Sequence, residues 1–151
     1  MKQRVIRTAK RTSAQGRRRQ PTKTIKQKEF IPAPPGEIYD ALLNEQTHSA
    51  FTGAKATCER FVGGRFSAWN GYITGTNVRL ESARRIVQEW RTSEWPDGFG
   101  PSLLEFKFQP RGKGTEVQLV QSNVPASQAK FYKKGWAEFY WKPLRKYFGK
   151  H

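Results

Sequence analysis

The chain has 151 residues, and its 28 Lys and Arg against 12 Asp and Glu give a formal net charge of +16. This length fits one domain, and with 36% hydrophobic and 13% aromatic residues we do not expect a wholly disordered chain. The single cysteine excludes an internal disulfide framework and leaves a cysteine-based metal site short of ligands. No apolar run approaches the ~18 residues of a membrane span, so we expect a soluble protein.

The positive charge is concentrated at the N-terminus. Residues 1–23 contain nine basic side chains and no acid, whereas residues 24–151 contain 19 basic and 12 acidic residues and carry a charge of +7. Apolar residues are too sparse in the first segment to offset its ordering entropy. We therefore predict a disordered basic arm over 1–23 and one folded domain over 24–151.

The arm has three interpretations, which are a nucleic-acid or ribosome tether, a mitochondrial targeting segment and a solubilising tail. In the first, its basic side chains would neutralise phosphates of RNA or DNA without reading the sequence. The residues that would do so are Arg11, Arg17, Arg18, Arg19 and Lys23. An Arg-rich, acid-free segment is also typical of a transit peptide. The expected location is cytoplasmic, with the mitochondrial matrix as the alternative.

The folded part begins with a strand predicted over 24–33. Two short helices follow, over 36–43 and 45–51. In the first of them Ile38 and Leu42 recur at the i, i+4 spacing of one buried face. Gly53 suits the C-terminal cap of the second helix.

The next 70 residues predict a meander of antiparallel strands. Gly63-Gly64 and Asn70-Gly71 are hairpin turn signals. The predicted strands cover residues 56–62, 65–69, 72–81, 84–92, 102–109 and 115–124. A loop over 93–101 carries Trp95 in a Trp-Pro-Asp-Gly run. This Trp is either an exposed protein contact or a lid over the open end of the sheet.

A long helix is predicted over 126–148. Its apolar stripe comprises Ala129, Tyr132, Trp136, Phe139, Tyr140, Pro143, Leu144 and Tyr147. Pro143 deprives the carbonyl of Phe139 of its partner, so we expect a kink. A curved antiparallel sheet of about six or seven strands wrapped around this helix buries every apolar face, which predicts an α+β helix-grip fold.

An ordered series of motifs spans about residues 24–148. Its members are Phe51-Thr52-Gly53, Gly63-Gly64-Arg65-Phe66, Trp69-Asn70-Gly71-Tyr72-Ile73-Thr74-Gly75, Arg85-Ile86-Val87-Gln88-Glu89-Trp90-Arg91, Trp95-Pro96, Asn123-Val124-Pro125, Gly135-Trp136 and Tyr140-Trp141-Lys142-Pro143-Leu144. The series resembles the activator of heat-shock protein 90 ATPase homologue family, within the START-related SRPBCC superfamily. The resemblance is closer to compact single-domain members than to full-length eukaryotic co-chaperones, which carry an additional N-terminal domain.

Catalysis has little support in the sequence. The only histidines are His48, which we assign to a surface or capping role, and His151. Cys58 has no histidine beside it in sequence and is expected to be a small buried or half-buried residue. We therefore predict no catalytic site, no metal site and no cofactor.

A ligand cavity between sheet and helix is implied by the superfamily resemblance. The residues expected near it are Phe66, Trp69, Trp90, Phe106, Trp136 and Tyr140. The alternative, which we favour slightly, is a filled core, because large rings usually pack on one another. Three functions remain open: a non-catalytic domain that binds a heat-shock protein 90 chaperone or another protein, a binder of an apolar small molecule, and an RNA- or ribosome-associated protein.

Overall fold

Strand β1 (Thr22–Ile31) is followed by two short helices, α1 (Pro35–Leu43) and α2 (Glu45–Thr52). The computed structural model describes residues 21–149. Asn44 separates the two helices, and its side chain caps α2 by accepting a hydrogen bond from Thr47 N–H at 2.9 Å. Gly53 ends α2 with a left-handed φ of 81°, as its position in the sequence predicts.

Six further strands complete one sheet. They are β2 (Thr57–Cys58), β3 (Arg65–Ala68), β4 (Ile73–Glu81), β5 (Arg85–Thr92), β6 (Ser102–Arg111) and β7 (Gly114–Pro125). All pairings are antiparallel, and β1 returns to pair with β7, giving the order β1-β7-β6-β5-β4-β3-β2. The terminal helix covers one face of this sheet, and the predicted helix-grip fold is confirmed.

Strand β1 is shifted from its predicted limits and β2 is shortened, whereas the other five strands agree with theirs within two residues. Strand β1 begins at Thr22, so Lys23 belongs to it and lies opposite Val124 of β7. The strand expected over 56–62 is reduced to Thr57–Cys58, because the following residues turn toward β4. There Gly63 N–H donates to the carbonyl of Asn77 at 2.7 Å.

The terminal helix consists of α3 (Ala129–Trp136), a π-helical turn (Ala137–Trp141, called the π turn below) and α4 (Lys142–Phe148). Pro143 has no N–H to give to the carbonyl of Phe139, and the N–H of Lys142 instead reaches back five residues to Ala137. Where the sequence predicts a kink at Pro143, the helix thus contains a wider, π-helical turn.

The π turn shifts the buried stripe by one residue. Phe139 and Tyr147, predicted to be buried, are 50% and 38% exposed, while Trp141 and Phe148 are buried. A π turn contains an extra residue, so every later position faces a different direction from that in a regular helix. Beyond Trp136 the predicted stripe is confirmed at Tyr140 and Leu144, which are buried, and is wrong at Phe139 and Tyr147 for this reason. None of the helices in residues 21–149 is long and apolar enough to cross a membrane.

Candidate binding groove

The interior between the sheet and the terminal helix is almost filled. Its enclosed cavity measures about 20 Å³, space for about one water molecule. Five of the six predicted cavity residues border it, namely Phe66, Trp90, Phe106, Trp136 and Tyr140.

Aromatic packing accounts for the small size of the cavity. The ring centroid of Trp136 lies 5.7 Å from those of Trp90 and Phe106, and 4.9 Å from that of Tyr140. These separations are typical of rings in edge or tilted contact. Gln121 is fully buried beneath them, and its Oε1 accepts the indole N–H of Trp136 at 2.9 Å. The helix is thus held to the sheet by both packing and a buried hydrogen bond.

A larger space opens to solvent between one flank of the terminal helix and strands β4 and β5. This groove has a volume of about 620 Å³. Its walls are Trp69, Tyr72, Ile73, Trp90, Glu94, Phe131, Tyr132, Lys134, Gly135, Trp136, Glu138, Phe139 and Tyr140. Eight of these thirteen residues are aromatic. Of the six predicted cavity residues, Trp69, Trp90, Trp136 and Tyr140 line the groove.

Trp69 holds an unusual backbone conformation at the groove. It sits in the turn between β3 and β4 with φ of 55°, and Asn70 follows with φ of 59°. Bulky residues rarely adopt this left-handed region because their Cβ crowds the following carbonyl. The conformation places the indole ring against Phe139, with 5.2 Å between ring centroids. Strain of this kind concentrates at binding sites.

The indole Nε1 of Trp69 is buried and has no hydrogen-bond partner among residues 21–149. It approaches the Tyr140 hydroxyl without reaching hydrogen-bond geometry. Burial raises the pKa of Tyr140, and the nearby indole N–H opposes that shift. Tyr140 therefore remains a neutral phenol at physiological pH.

One end of the groove is polar. The Tyr72 hydroxyl donates to the Glu94 carboxylate, and burial followed by this hydrogen bond raises the pKa of Tyr72. The Tyr132 hydroxyl lies 2.6 Å from Thr92 Oγ1 and donates to Gln128 Oε1 at 2.8 Å. A carboxylate and two phenols thus meet where β5 leads into the loop that carries Trp95.

Trp95 is not available as an exposed protein contact. Its side chain is 5% exposed and packs on Trp90 and Tyr132, at 6.0 and 5.6 Å between ring centroids. Its indole N–H donates to the carbonyl of Gly100 at 2.8 Å. The loop folds back over the end of the sheet, which closes the aromatic cluster to water. The interpretation of Trp95 as an exposed protein contact is therefore wrong, and its burial agrees with the lid.

His48 is half-buried, and of the surface and capping roles expected for it, its contact with a carbonyl in the last turn of α1 agrees with capping. Its Nδ1 lies 3.1 Å from the carbonyl oxygen of Leu42, and its ring stacks on Phe51 at 5.1 Å. Burial lowers the pKa of His48. No local sequence signal indicates this placement, because the partner of its other nitrogen, Tyr140, lies 92 residues away.

The remaining candidates are distributed as follows. Arg11, Arg17, Arg18, Arg19 and most of the predicted arm lie outside the described residues, and Lys23 is exposed in β1. Within residues 21–149, no group of three or more His, Cys, Asp or Glu side chains could hold a metal ion.

Comparison with known proteins decides the family. The domain described as activator of Hsp90 ATPase homolog 1-like protein matches residues 32–149. The chain belongs to this family. A relative named activator of 90 kDa heat shock protein ATPase homolog from Dictyostelium discoideum is 36% identical over 116 residues, which cover 76% of this chain and 30% of the relative. The human protein named homolog 1 is 30% identical over 85% of this chain and 38% of its own length. The chain thus spans about a third of the length of these curated relatives.

Solved structures agree on the fold. An Hsp90 activator from Plasmodium falciparum superposes with a TM-score of 0.76 at 22% identity, covering 83% of this chain and 96% of that one. The Aha1 dimer from Colwellia psychrerythraea gives a TM-score of 0.71 at 19% identity, covering 85% and 98%. The family resemblance that the motifs indicate is confirmed by the match over residues 32–149 and by the relatives of 30% and 36% identity.

Proposed function

We propose that this domain is a non-catalytic module that binds a chaperone of the heat-shock protein 90 class. The observation that carries the proposal is the family match over residues 32–149, which covers nearly the whole described domain. The named relatives are activators of that chaperone's ATPase and not themselves the ATPase. Because the chain spans about a third of those relatives, the proposal is limited to binding.

The turn between β2 and β3 is a suitable contact surface. Phe61 and Val62 are 60% and 62% exposed at its tip, and Val78 is exposed on the neighbouring strand β4. Adjacent exposed apolar side chains are typical of protein interaction sites. We call Phe61, Val62 and Val78 the apolar tip.

The apolar tip is held rigidly from below. Asn77 is buried, and its Nδ2 donates to the carbonyl of Glu59 at 2.9 Å while its Oδ1 accepts from Gln88 Nε2 at 2.9 Å. Glu59 Oε1 in turn accepts the N–H of Arg65 at 2.8 Å. A preorganised tip loses little conformational entropy when it binds a partner. Burying Phe61 in a pocket of the chaperone would make it an anchor residue.

The test is binding of the full chain to the immobilised chaperone of the same organism, measured by biolayer interferometry. We expect saturable binding, and roughly tenfold weaker binding of Phe61→Ser with Val62→Ser, because burial of an anchor side chain is lost. Phe131→Ser is the matched control, since Phe131 is equally exposed but lies on the terminal helix. Absence of saturable binding at low salt would overturn the function. Equal weakening by the control would overturn the assignment of the surface.

The alternative of an apolar ligand in the sheet–helix cavity has less support. The enclosed space holds only about one water molecule. Phe66 and Phe106 border that space and do not line the larger groove. These two side chains are better explained as core packing.

A further inference from the structure

The groove combines an aromatic lining with an acid that has no cationic partner. Glu94 forms no salt bridge among residues 21–149, and its carboxylate is held by the Tyr72 hydroxyl. Six of the twelve acids form no salt bridge among residues 21–149, and Glu94 is the one of these six that lines the groove. The other two charged residues of the lining, Lys134 and Glu138, have opposite signs. Glu138 is already paired with Lys142, at 3.3 Å between Nζ and Oε2, so Glu94 is the carboxylate of the lining that no basic side chain of residues 21–149 neutralises.

The floor of the groove is kept open by a glycine. Gly135 lies inside α3, where glycine costs about 0.5–1 kcal/mol relative to alanine. Packing does not require it, because a Cβ at this position would only reach an ordinary contact with the Phe139 ring at 3.8 Å. Phe131 and Phe139 stand one helical turn before and after it, and both are at least half exposed. A side chain at 135 would occupy the space between them.

We propose that this groove binds a ring-containing organic cation. Its apolar body would lie along the groove over Gly135, against the exposed faces of the Phe131, Phe139 and Trp69 rings. Its ammonium group would lie beside the Glu94 carboxylate and the Tyr72 ring, because aromatic faces attract cations and a carboxylate adds direct charge pairing. A volume of about 620 Å³ suits a ligand of ordinary small-molecule size. This inference is independent of chaperone binding.

The charge preference gives a sharp test. Three probes share one naphthalene ring: naphthylmethylamine is a cation, naphthylmethanol is neutral and naphthylacetate is an anion. Each is titrated into the full chain, and the tryptophan indole N–H signals are followed by NMR. We expect the cation to bind roughly fivefold more tightly than the anion, the upper range for an exposed charge pair, although the net charge of +16 favours anions. Equal or tighter binding of the anion would overturn the proposal.

Two kinds of variant locate the site. In Glu94→Gln we expect the affinities for the cation and the anion to differ by no more than about twofold, because the charge pair is lost. Glu89→Gln, an exposed acid of β5 that does not line the groove, is expected to leave the preference unchanged. Gly135→Leu is expected to abolish binding of all three probes by filling the groove.

Phe131→Ser provides a second variant, which removes a wall of the groove that is 62% exposed, and it is expected to weaken the binding of all three probes. Unchanged probe binding in folded Gly135→Leu or in Phe131→Ser would refute the site. Phe61→Ser with Val62→Ser should not affect the probes, so failure of the groove and failure of the chaperone contact are distinguishable.

Discussion

The imidazole Nε2 of His48 lies 2.9 Å from the hydroxyl oxygen of Tyr140, joining α2 to the π turn. The carbonyl of Leu42 can only accept, so the hydrogen of the neutral ring sits on Nδ1 and Nε2 is left as an acceptor. Tyr140 therefore donates to His48. This bond links the first third of the domain to its last helix.

Tyr140→Phe removes that donor and leaves the rest of the ring in place. We expect the free energy of unfolding to fall by about 1 kcal/mol, the typical net contribution of one hydrogen bond. Urea denaturation of the two proteins measures the difference. Tyr147→Phe is the matched control, because Tyr147 is partly exposed on the same helix. An equal fall in the free energy of unfolding of Tyr147→Phe would contradict a stabilising hydrogen bond from Tyr140 to His48.

His48 makes stability depend on pH. Burial lowers its pKa in the folded state below the ordinary value of 6.5. As the pH falls below about 6.5, the unfolded chain binds a proton at His48 that the folded chain does not, so stability is lost. We expect the free energy of unfolding of the wild type to fall more than that of His48→Gln between about pH 7.5 and about pH 5.5. A constant difference across this range would contradict the prediction.

Gln121→Leu removes the acceptor for Trp136 and the donor to Ser102, which lies 3.0 Å from Gln121 Nε2. The indole N–H then stays buried without a partner, which costs about 1–3 kcal/mol. Thermal unfolding should show a clearly lower Tm. Ser122→Ala, one residue along on the opposite face of β7, should change Tm little. A Gln121→Leu variant as stable as the wild type would show that the bond contributes nothing.

Gly75→Ala tests the closest approach within the sheet. A Cβ there would lie 1.9 Å from the carbonyl oxygen of Glu89 and 2.6 Å from the Phe66 ring. Neither the backbone of β5 nor the packed ring can yield easily, so we expect destabilisation of about 1–3 kcal/mol or failure to fold. Gly100→Ala meets no atom within 4 Å and is the matched control. Comparable yields and Tm values for both variants would contradict the prediction.

The hypothesis of an RNA tether assigns phosphate binding to the basic arm over residues 1–23. Replacing Arg17, Arg18 and Arg19 by alanine would remove three phosphate contacts. For single-stranded RNA the slope of log affinity against log salt should then fall by about 2, at about 0.7 for each contact. Lys133→Ala with Lys134→Ala serves as a control of similar charge loss on α3. An unchanged slope in the triple variant would leave the arm without this role.

Much of the fold follows from local pattern. In β6, Leu104, Phe106 and Phe108 alternate with exposed residues and are buried as predicted. The helices α1 and α2 begin and end within two residues of their expected limits. Strand alternation and helix periodicity are properties of neighbouring residues, so they can be recognised without knowing what packs against them.

The candidate site was only partly predictable. Four of the six residues predicted near a cavity line the groove, while Phe66 and Phe106 border only the filled interior. The pattern does not indicate Phe131 or Glu94 as lining residues, and it gives Gly135 only as part of a motif, because their roles depend on which flank of the helix stays open. One signal could have indicated Gly135, since a glycine inside a helix pattern lowers helix stability and calls for an explanation.

The sequence by itself determined the order of strands and helices and the family. These depend on composition and on short-range spacing. Only the tertiary structure decided the phase of the last helix, the burial of Trp95 and the pairing of His48 with Tyr140. In each case a contact between distant segments, or one extra residue in a helical turn, determines which side of the element faces water.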